Sequence, residues 1–463
     1  MLITILAGVF ILSIVIIVHE FGHFIVAKKL GIFVKVFSVG FGRKLIKKRI
    51  GETVYAISAL PFGGYVKFAG ESETDIEQGG DKAEEPKEQK TDEIPDSEID
   101  PDRYFINKRP LIRSAVVFAG PFFNYVLAVL IYVAMFAIQG LRLLPETATI
   151  GQVTAGSPAD SVGLMVGDEI LEIAGTEVAS WGDIVDVISV EKDNVIPFHI
   201  KRGVERLDID FKCRIEDNRI EIGFLPHIAS LIGQVKRDGP AYEVGIRPGA
   251  TIDAINDTLV SSFYDIERII HANPNVPLEI RWSQNEVEHV DSVTPVPKKV
   301  LKEGSRTEFE IVGQIGVGPH YETERVPLHR AAVMGFESSN RMIKEIVLFL
   351  RLLLTGRAGV DALGGPILIT QMAGDMARWG FNYLIYFLAF FSINLCIFNL
   401  LPILPFDGGH LTLFFYEGVA RRRVNRRLRE LLTQAGFVLL ILLMVFVVVI
   451  DLSRCTGSSP TLF

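Results

Sequence analysis

Long uncharged runs alternate along this chain with stretches of ordinary mixed polarity. From Leu2 to Val18 no charged residue occurs, and comparable apolar runs cover Ala115–Ile138, Phe381–Ile403 and Leu431–Ile450. The first continues to about Ala27, and each approaches the ~20 residues a helix needs to cross a hydrocarbon core. They predict a polytopic α-helical membrane protein with four transmembrane helices. The first run has no basic residue before its apolar core and no clear small-x-small cleavage site, so a retained span is expected rather than a cleaved signal peptide.

Basic residues in the short flanks set the orientation. Lys28, Lys29, Lys35, Arg43, Lys44, Lys47, Lys48 and Arg49 follow the first span, and Lys108, Arg109 and Arg113 precede the second. Arg421, Arg422, Arg423, Arg426, Arg427 and Arg429 separate the third from the fourth. All three clusters belong on the cytoplasmic side, which puts both termini and the large middle region outside.

Two short β-like stretches, Val54–Leu60 and Gly63–Phe68, are broken by Pro61 and a glycine pair and read as a hairpin in a membrane-associated β-segment. Its edge suits pairing with an extended peptide; plugging the membrane surface is the plainer role. Glu71–Asp102 carries 14 acidic residues against three lysines, the composition of a disordered, solvated loop. Leu328–Leu354 has helical periodicity with interleaved charges, fitting a helix on the outer membrane surface or docked on the bundle. Gly356–Gly374 reads as a broken apolar segment.

A repeat occupies the middle. Ser157–Ile170 is echoed 82 positions later by Gly239–Ile252, and the register continues through Ile173/Ile255, Trp181/Phe263, Asp183/Asp265 and Ile184/Ile266. Two copies at one offset predict duplicated small α+β modules rather than a solenoid. The second copy has Ala250 and Asn256 where the first has Asp168 and Ala174, which weakens its turn signature. The expected divisions are 1–141, 142–222, 223–318, 319–380 and 381–463: a membrane part, two modules, a helical linker and a second membrane part.

Composition narrows the picture further. Net charge is -8, with no extended basic domain to suggest nucleic acid as a partner. Cys213, Cys396 and Cys455 are too scattered for a disulfide framework or a thiolate metal site.

The candidate chemistry sits at the end of the first span, in His19-Glu20-Phe21-Gly22-His23. Four residues apart on a helix, His19 and His23 share a face and can grip one metal ion, with Glu20 placed to handle an activated water. Such groups are costly at a membrane span unless they are paired or ligate something, although HExxH also occurs by chance on surface helices. Two histidines leave a catalytic zinc one protein ligand short. The run from Asn399 to His410 supplies Asp407, which closes an otherwise uncharged stretch; His410 is the competing ligand. Pro402, Pro405 and Gly408-Gly409 are expected to prevent a regular helix and let the carboxylate turn inward. The inferred topology brings both motifs to the cytoplasmic side. Zinc activates water there, Glu20 accepts its proton, and Asn399 is a candidate oxyanion donor; capping a kinked helix is its other reading. Asn124 is either a packing contact between spans or a substrate-side contact, outside the primary site.

HEFGH in an N-terminal span, the GGYVK segment, Ala119–Asn124 (AGPFFN), paired modules and a late NxxP…DGG segment together resemble the site-2 protease family over nearly the whole chain. The resemblance implies an intramembrane zinc metalloprotease with one Zn2+ held by His19, His23 and Asp407, Glu20 catalytic and Asn399 near the oxyanion. It implies two PDZ-like periplasmic modules acting as a size filter, and a multi-pass location in the bacterial inner membrane. It also implies single-span substrates, such as an anti-sigma factor already shortened by an upstream site-1-type protease, and remnant signal peptides. Family members often space the two prolines of the late segment two apart; here Pro402 and Pro405 are three apart. The competing function is a catalytically silent zinc-binding membrane scaffold or chaperone with peptide-binding modules.

Overall fold

All four apolar runs are helical in the structure, a computed structural model that describes residues 2–70, 94–95, 98–191, 195–216, 219–301, 309–356 and 364–455. Most of the acidic stretch Glu71–Asp102 therefore lies outside the described residues. Two compact units emerge, one formed by Met1–Ile138 with Val326–Pro460 and the other by Gln139–Arg325.

Helix α1 (Leu2–Lys29) ends with two lysines in its last turn and Gly31 at φ +69°, the charge and backbone expected where a helix stops. Two long strands follow, β1 (Val34–Ile50) and β2 (Thr53–Phe68), joined through Gly51 at φ +63°. The hairpin expected between Val54–Leu60 and Gly63–Phe68 does not form: both stretches lie in one strand and each pairs with β1, the segment whose basic residues read as flank. Bulges fold the pair back on itself: Val36 stands opposite both Lys67 and Val54, and Val39 opposite both Gly64 and Ile57. Helix α2 (Pro110–Gln139) starts on a proline, whose missing N–H costs nothing in a first turn. It begins five residues before the expected Ala115, so Arg113 belongs to the helix. Arg113 is buried and pairs with Glu417 at 2.6 Å, so it is not a free flanking charge.

In the middle unit the repeat is structural. The first module orders its sheet β4–β3–β5–β6, from β3 (Glu169–Ile173), β4 (Thr176–Glu177), β5 (Ile196–Arg202) and β6 (Glu205–Phe211), with helix α3 (Trp181–Glu191). The second repeats that order as β8–β7–β9–β10, from β7 (Thr251–Ile255), β8 (Thr258–Leu259), β9 (Leu278–Gln284) and β10 (Val287–Val293), with helix α4 (Phe263–His271). Each has its own apolar core, and Ile170, Ile173, Ile184, Ile188 and Phe211 of the first match Ile252, Ile255, Ile266, Ile270 and Val293 of the second.

The substitutions that suggested a weakened second copy are accommodated. Asp168 is fully buried, accepts the Met165 amide at 2.8 Å and pairs with Arg202 at 2.7 Å. The second module has Ala250, also fully buried, and Gln284 in those places, so the charge and its partner are replaced together. Asn256 takes φ +52° where Ala174 takes +50°, a conformation that suits Asn better than Ala.

Beyond the modules, α5 (Leu328–Leu354) docks on the bundle through its small residues, with Gly335 against the backbone of Val133. Part of the expected broken segment, 357–363, lies outside the described residues; the rest includes a regular helix, α6 (Pro366–Trp379). Its first turn is capped by the buried carboxylate of Asp451, which accepts from the amides of Gly365, Ile367 and Leu368, each at 3.1 Å. Gly8 and Gly374 set α1 and α6 close, against Thr370 and Thr4, as small residues do between helices in a membrane. Helix α7 (Phe381–Asn399) stops four residues short of the expected Ile403, because Pro402 cannot continue it. Helices α8 (Asp407–Ala420) and α9 (Arg426–Cys455) are the last of the described elements. α1, α2, α7 and Arg427–Leu452 of α9 are long and apolar enough to cross a membrane.

Candidate active site

The site is built where α1 crosses α2. Gly22 of α1 faces the carbonyl of Ala119, and Gly120 of α2 faces the rings of His19 and His23 so closely that a Cβ at either glycine would overlap its neighbour. Absence of side chains at these two positions lets the helices meet. On α2, Val116, Gly120 and Asn124 recur every fourth residue and form one row. That row faces His23 and His19 of α1, in antiparallel order. His23 Nδ1 lies 2.9 Å from the Val116 carbonyl oxygen, and His19 Nδ1 lies 3.3 Å from the Asn124 side-chain amide.

A peptide carbonyl can only accept, so His23 carries its proton on Nδ1 and turns an Nε2 lone pair inward. His19 Nε2 lies 3.1 Å from His23 Nε2. Asp407 completes the group, its Oδ2 3.2 Å from His19 Nε2 and 3.6 Å from His23 Nε2. This Oδ2 is buried and has no hydrogen-bond partner.

These residues fit zinc. The separations of 3.1, 3.2 and 3.6 Å bracket the roughly 3.3–3.4 Å edge of a tetrahedron with zinc–ligand bonds near 2.0–2.1 Å. Two imidazoles and a carboxylate are the donor set of catalytic zinc with an open position, and the orphaned Oδ2 lies beside both Nε2 atoms. His19, His23 and Asp407 are accordingly a candidate metal-binding cluster.

Asp407 reaches the cluster because the chain between α7 and α8 folds tightly. The glycine pair does not prevent a helix, as the sequence suggested. Gly408 and Gly409 lie in the first turn of α8, pressed against the carbonyls of Leu400 and Leu401 and the backbone of Ile403 and Leu404. Further along, Arg113 holds α8 to α2 through Glu417, with its guanidinium 4.5 Å over the Phe414 ring.

Other residues singled out from sequence fall around this centre. Glu20 is half-buried, and its Cγ lies 3.4 Å from where a Gly64 Cβ would stand, so β2 approaches this side of α1 at a glycine. Asn399 is the half-buried last residue of α7. His410 sits in the first turn of α8, outside the group of converging ligand atoms, with its ring 6.3 Å from Phe414. Burial, with help from Arg429, pushes its imidazole down. Asn124, set aside in the sequence reading, is fully buried against His19. Its signal was present: it is the only amide in the run Ala115–Ile138 and lies four residues after Gly120.

A profile of peptidase family M50 matches residues 7–443. A Vibrio cholerae protein, provisionally named a zinc metalloprotease, is 31% identical over 97% of this chain and 98% of its own length. Protease RseP of Yersinia pestis is 30% identical over 96% of this chain and 97% of its own. The regulator of sigma-E protease RseP of Salmonella typhimurium is 28% identical over 97% and 98%. A PDZ domain of an SdrC-like protein from Listeria monocytogenes is 18% identical over 20% of this chain and 90% of its own, with a TM-score of 0.16, which assigns no fold to the modules.

Proposed function

The chain belongs to peptidase family M50, and from that premise we propose that this zinc-dependent metalloendopeptidase cleaves single-span membrane proteins within or beside their membrane segments. The convergence of His19 Nε2, His23 Nε2 and Asp407 Oδ2 on one point at a membrane span carries the reading. Its substrates are proposed to be an anti-sigma factor pre-trimmed by a site-1-type protease, and remnant signal peptides, which makes it a step in envelope stress signalling. The name of the Salmonella typhimurium relative, a regulator of sigma-E protease, supports that choice.

His19, His23 and Asp407 would hold zinc, which would supply Lewis acidity for attack of water on a peptide carbonyl. Glu20 takes up the proton from the attacking water and returns it to the departing amide nitrogen. Asn399 donates to the oxygen that gains charge. Gly64–Lys67 of β2, paired with β1 on one side, offers an edge to which an unwound substrate adds as a strand, and Gly64 brings that edge beside Glu20.

The protein is placed in the bacterial inner membrane, with both termini and the two modules periplasmic and the active site near the cytoplasmic side. The modules are read as PDZ-like filters that exclude substrates with large outer domains. Deleting residues 150–315 while keeping membrane insertion should then admit such substrates; loss of cleavage of pre-trimmed ones would show that the modules capture substrate or support folding instead.

The direct test is purified protein with a helical membrane peptide. Cleavage inside the span, abolished by chelation and restored by zinc, is the expected result. Zinc binding and peptide capture without cleavage would identify a scaffold or chaperone.

A further inference from the structure

We propose that Asn124 is a positioning residue for His19: its side-chain carbonyl accepts a hydrogen bond from His19 Nδ1–H and so leaves the His19 Nε2 lone pair facing Asp407. This rests on the reading of His19, His23 and Asp407 as zinc ligands. Asn124 is fully buried on α2. Its amide nitrogen is placed 3.3 Å from His19 Nδ1, while its Oδ1 has no hydrogen-bond partner. Nitrogen and oxygen exchange places on a half-turn of the amide, and the surrounding network must decide between the two.

In the orientation as placed, the amide donates to Nδ1. A neutral His19 would then carry its proton on Nε2, aimed at Asp407 and His23, where a metal needs a lone pair. The half-turn reverses this. The oxygen, otherwise unpartnered, accepts from Nδ1–H, and Nε2 is freed. His23 shows the same arrangement one turn away, since its Nδ1 meets the Val116 carbonyl at 2.9 Å. With both Nδ1 atoms protonated, two Nε2 lone pairs and the Asp407 oxygen converge.

The placement of Asn124 is fixed from a third helix. Ser392 Oγ of α7 donates to the Asn124 backbone carbonyl at 2.8 Å. The span that leads toward Asp407 therefore also holds the residue that orients His19. A hydrogen bond to the far nitrogen of a metal-bound imidazole sets the ring's tautomer and angle and raises its basicity.

The test compares zinc affinity of full-length wild type, Asn124→Ala and Asn124→Asp in detergent, by competition with a chromogenic chelator. Cobalt(II) absorption of the same proteins reads ligand geometry independently. Asn124→Ala is expected to weaken zinc binding about 10–100-fold and to alter the cobalt bands. Asn124→Asp, whose carboxylate accepts but cannot donate, is expected to bind within about threefold of wild type. If folded Asn124→Asp binds as poorly as the alanine variant, the amide is a donor and the proposal fails. If Asn124→Ala binds as wild type does, Asn124 only packs, and the proposal fails equally. Should the alanine variant not fold, the aspartate variant decides alone. A wild type that binds no zinc overturns the ligand reading itself, and that outcome is visible before any variant is compared.

Discussion

Gly120 lies against His23 so closely that a Cβ at this position would overlap the ring's Nε2 and Cε1, and it would stand 2.8 Å from Cε1 of His19. The smallest possible enlargement of α2 therefore enters the space where the two histidines turn toward Asp407. Gly120→Ala is expected to lower zinc content and cleavage together, by about tenfold or more. Phe118→Leu, on an exposed position of the same helix, should leave both unchanged. Metal analysis of the purified variants checks this, and a fully zinc-loaded Gly120→Ala would show that the rings are not confined there.

Asp451 is 1% exposed and accepts three amides at the start of α6. Asn in its place keeps one acceptor oxygen but loses the charge that favours a helix N-terminus. Asp451→Asn is expected to cost about 1–2 kcal/mol, and Asp451→Ala more. Thermal unfolding in detergent, with zinc content as a control for the site, measures the order of the two.

In the first module, Arg202→Gln leaves the buried Asp168 carboxylate without its cation. The side chain of Arg202 is 30% exposed, so the loss should be roughly 2–3 kcal/mol, below the ~3–5 kcal/mol of a fully buried pair. The double variant Asp168→Ala with Arg202→Gln copies the second module's residues and should recover most of that. Hydrogen-exchange protection of β3 and β5 would register the recovery; additive losses would mean that the pair is not coupled.

Helix α4 opens on a capping box, in which Ser262 Oγ accepts the Asp265 amide at 3.2 Å and the Asp265 carboxylate accepts the Ser262 backbone N–H at 3.1 Å, with the Ser262 hydroxyl donating to the same carboxylate at 3.0 Å. Burial opposes the Asp265 charge, but Arg268, Ser262 and Ser261 outweigh it and hold the carboxyl below its ordinary value. A carboxyl depressed in the folded state contributes stability above its unfolded value near ~3.9 and loses it as pH falls through the folded value. Ser262→Ala should therefore cost α4 about 0.5–2 kcal/mol near neutral pH, with the gap from wild type narrowing toward pH 3. Protection factors of the α4 amides at the two pH values test the sign.

What the sequence made legible was whatever one local stretch encodes. Residues four apart bring His19 and His23 onto one face, and an uncharged run ending in Asp407 marks the third member of the candidate cluster. The 82-residue offset likewise appears as two sheets of the same strand order. Less visible was anything that depends on another element's position. Bulges and four exposed basic residues, Arg43, Lys47, Lys48 and Arg49, hide the alternation of β1, so its pairing with β2 did not show. Gly408 and Gly409 look like helix breakers until the loop pressed against them is known. Asn124 and His19 are 105 positions apart, and only the crossing of α1 over α2 makes them neighbours.

In the proposed mechanism Glu20 is the base beside a zinc held by His19, His23 and Asp407. Zinc content paired with single-turnover cleavage of a pre-trimmed membrane substrate tests it in one preparation. Glu20→Gln should keep zinc and substrate binding while cleavage falls by at least the ~10²–10⁴-fold typical of general base catalysis. His19→Ala, His23→Ala and Asp407→Asn should lose zinc as well as cleavage. A zinc-loaded Glu20→Gln protein that cleaves at a near-normal rate, or an Asp407→Asn protein that stays loaded and active, would contradict the account.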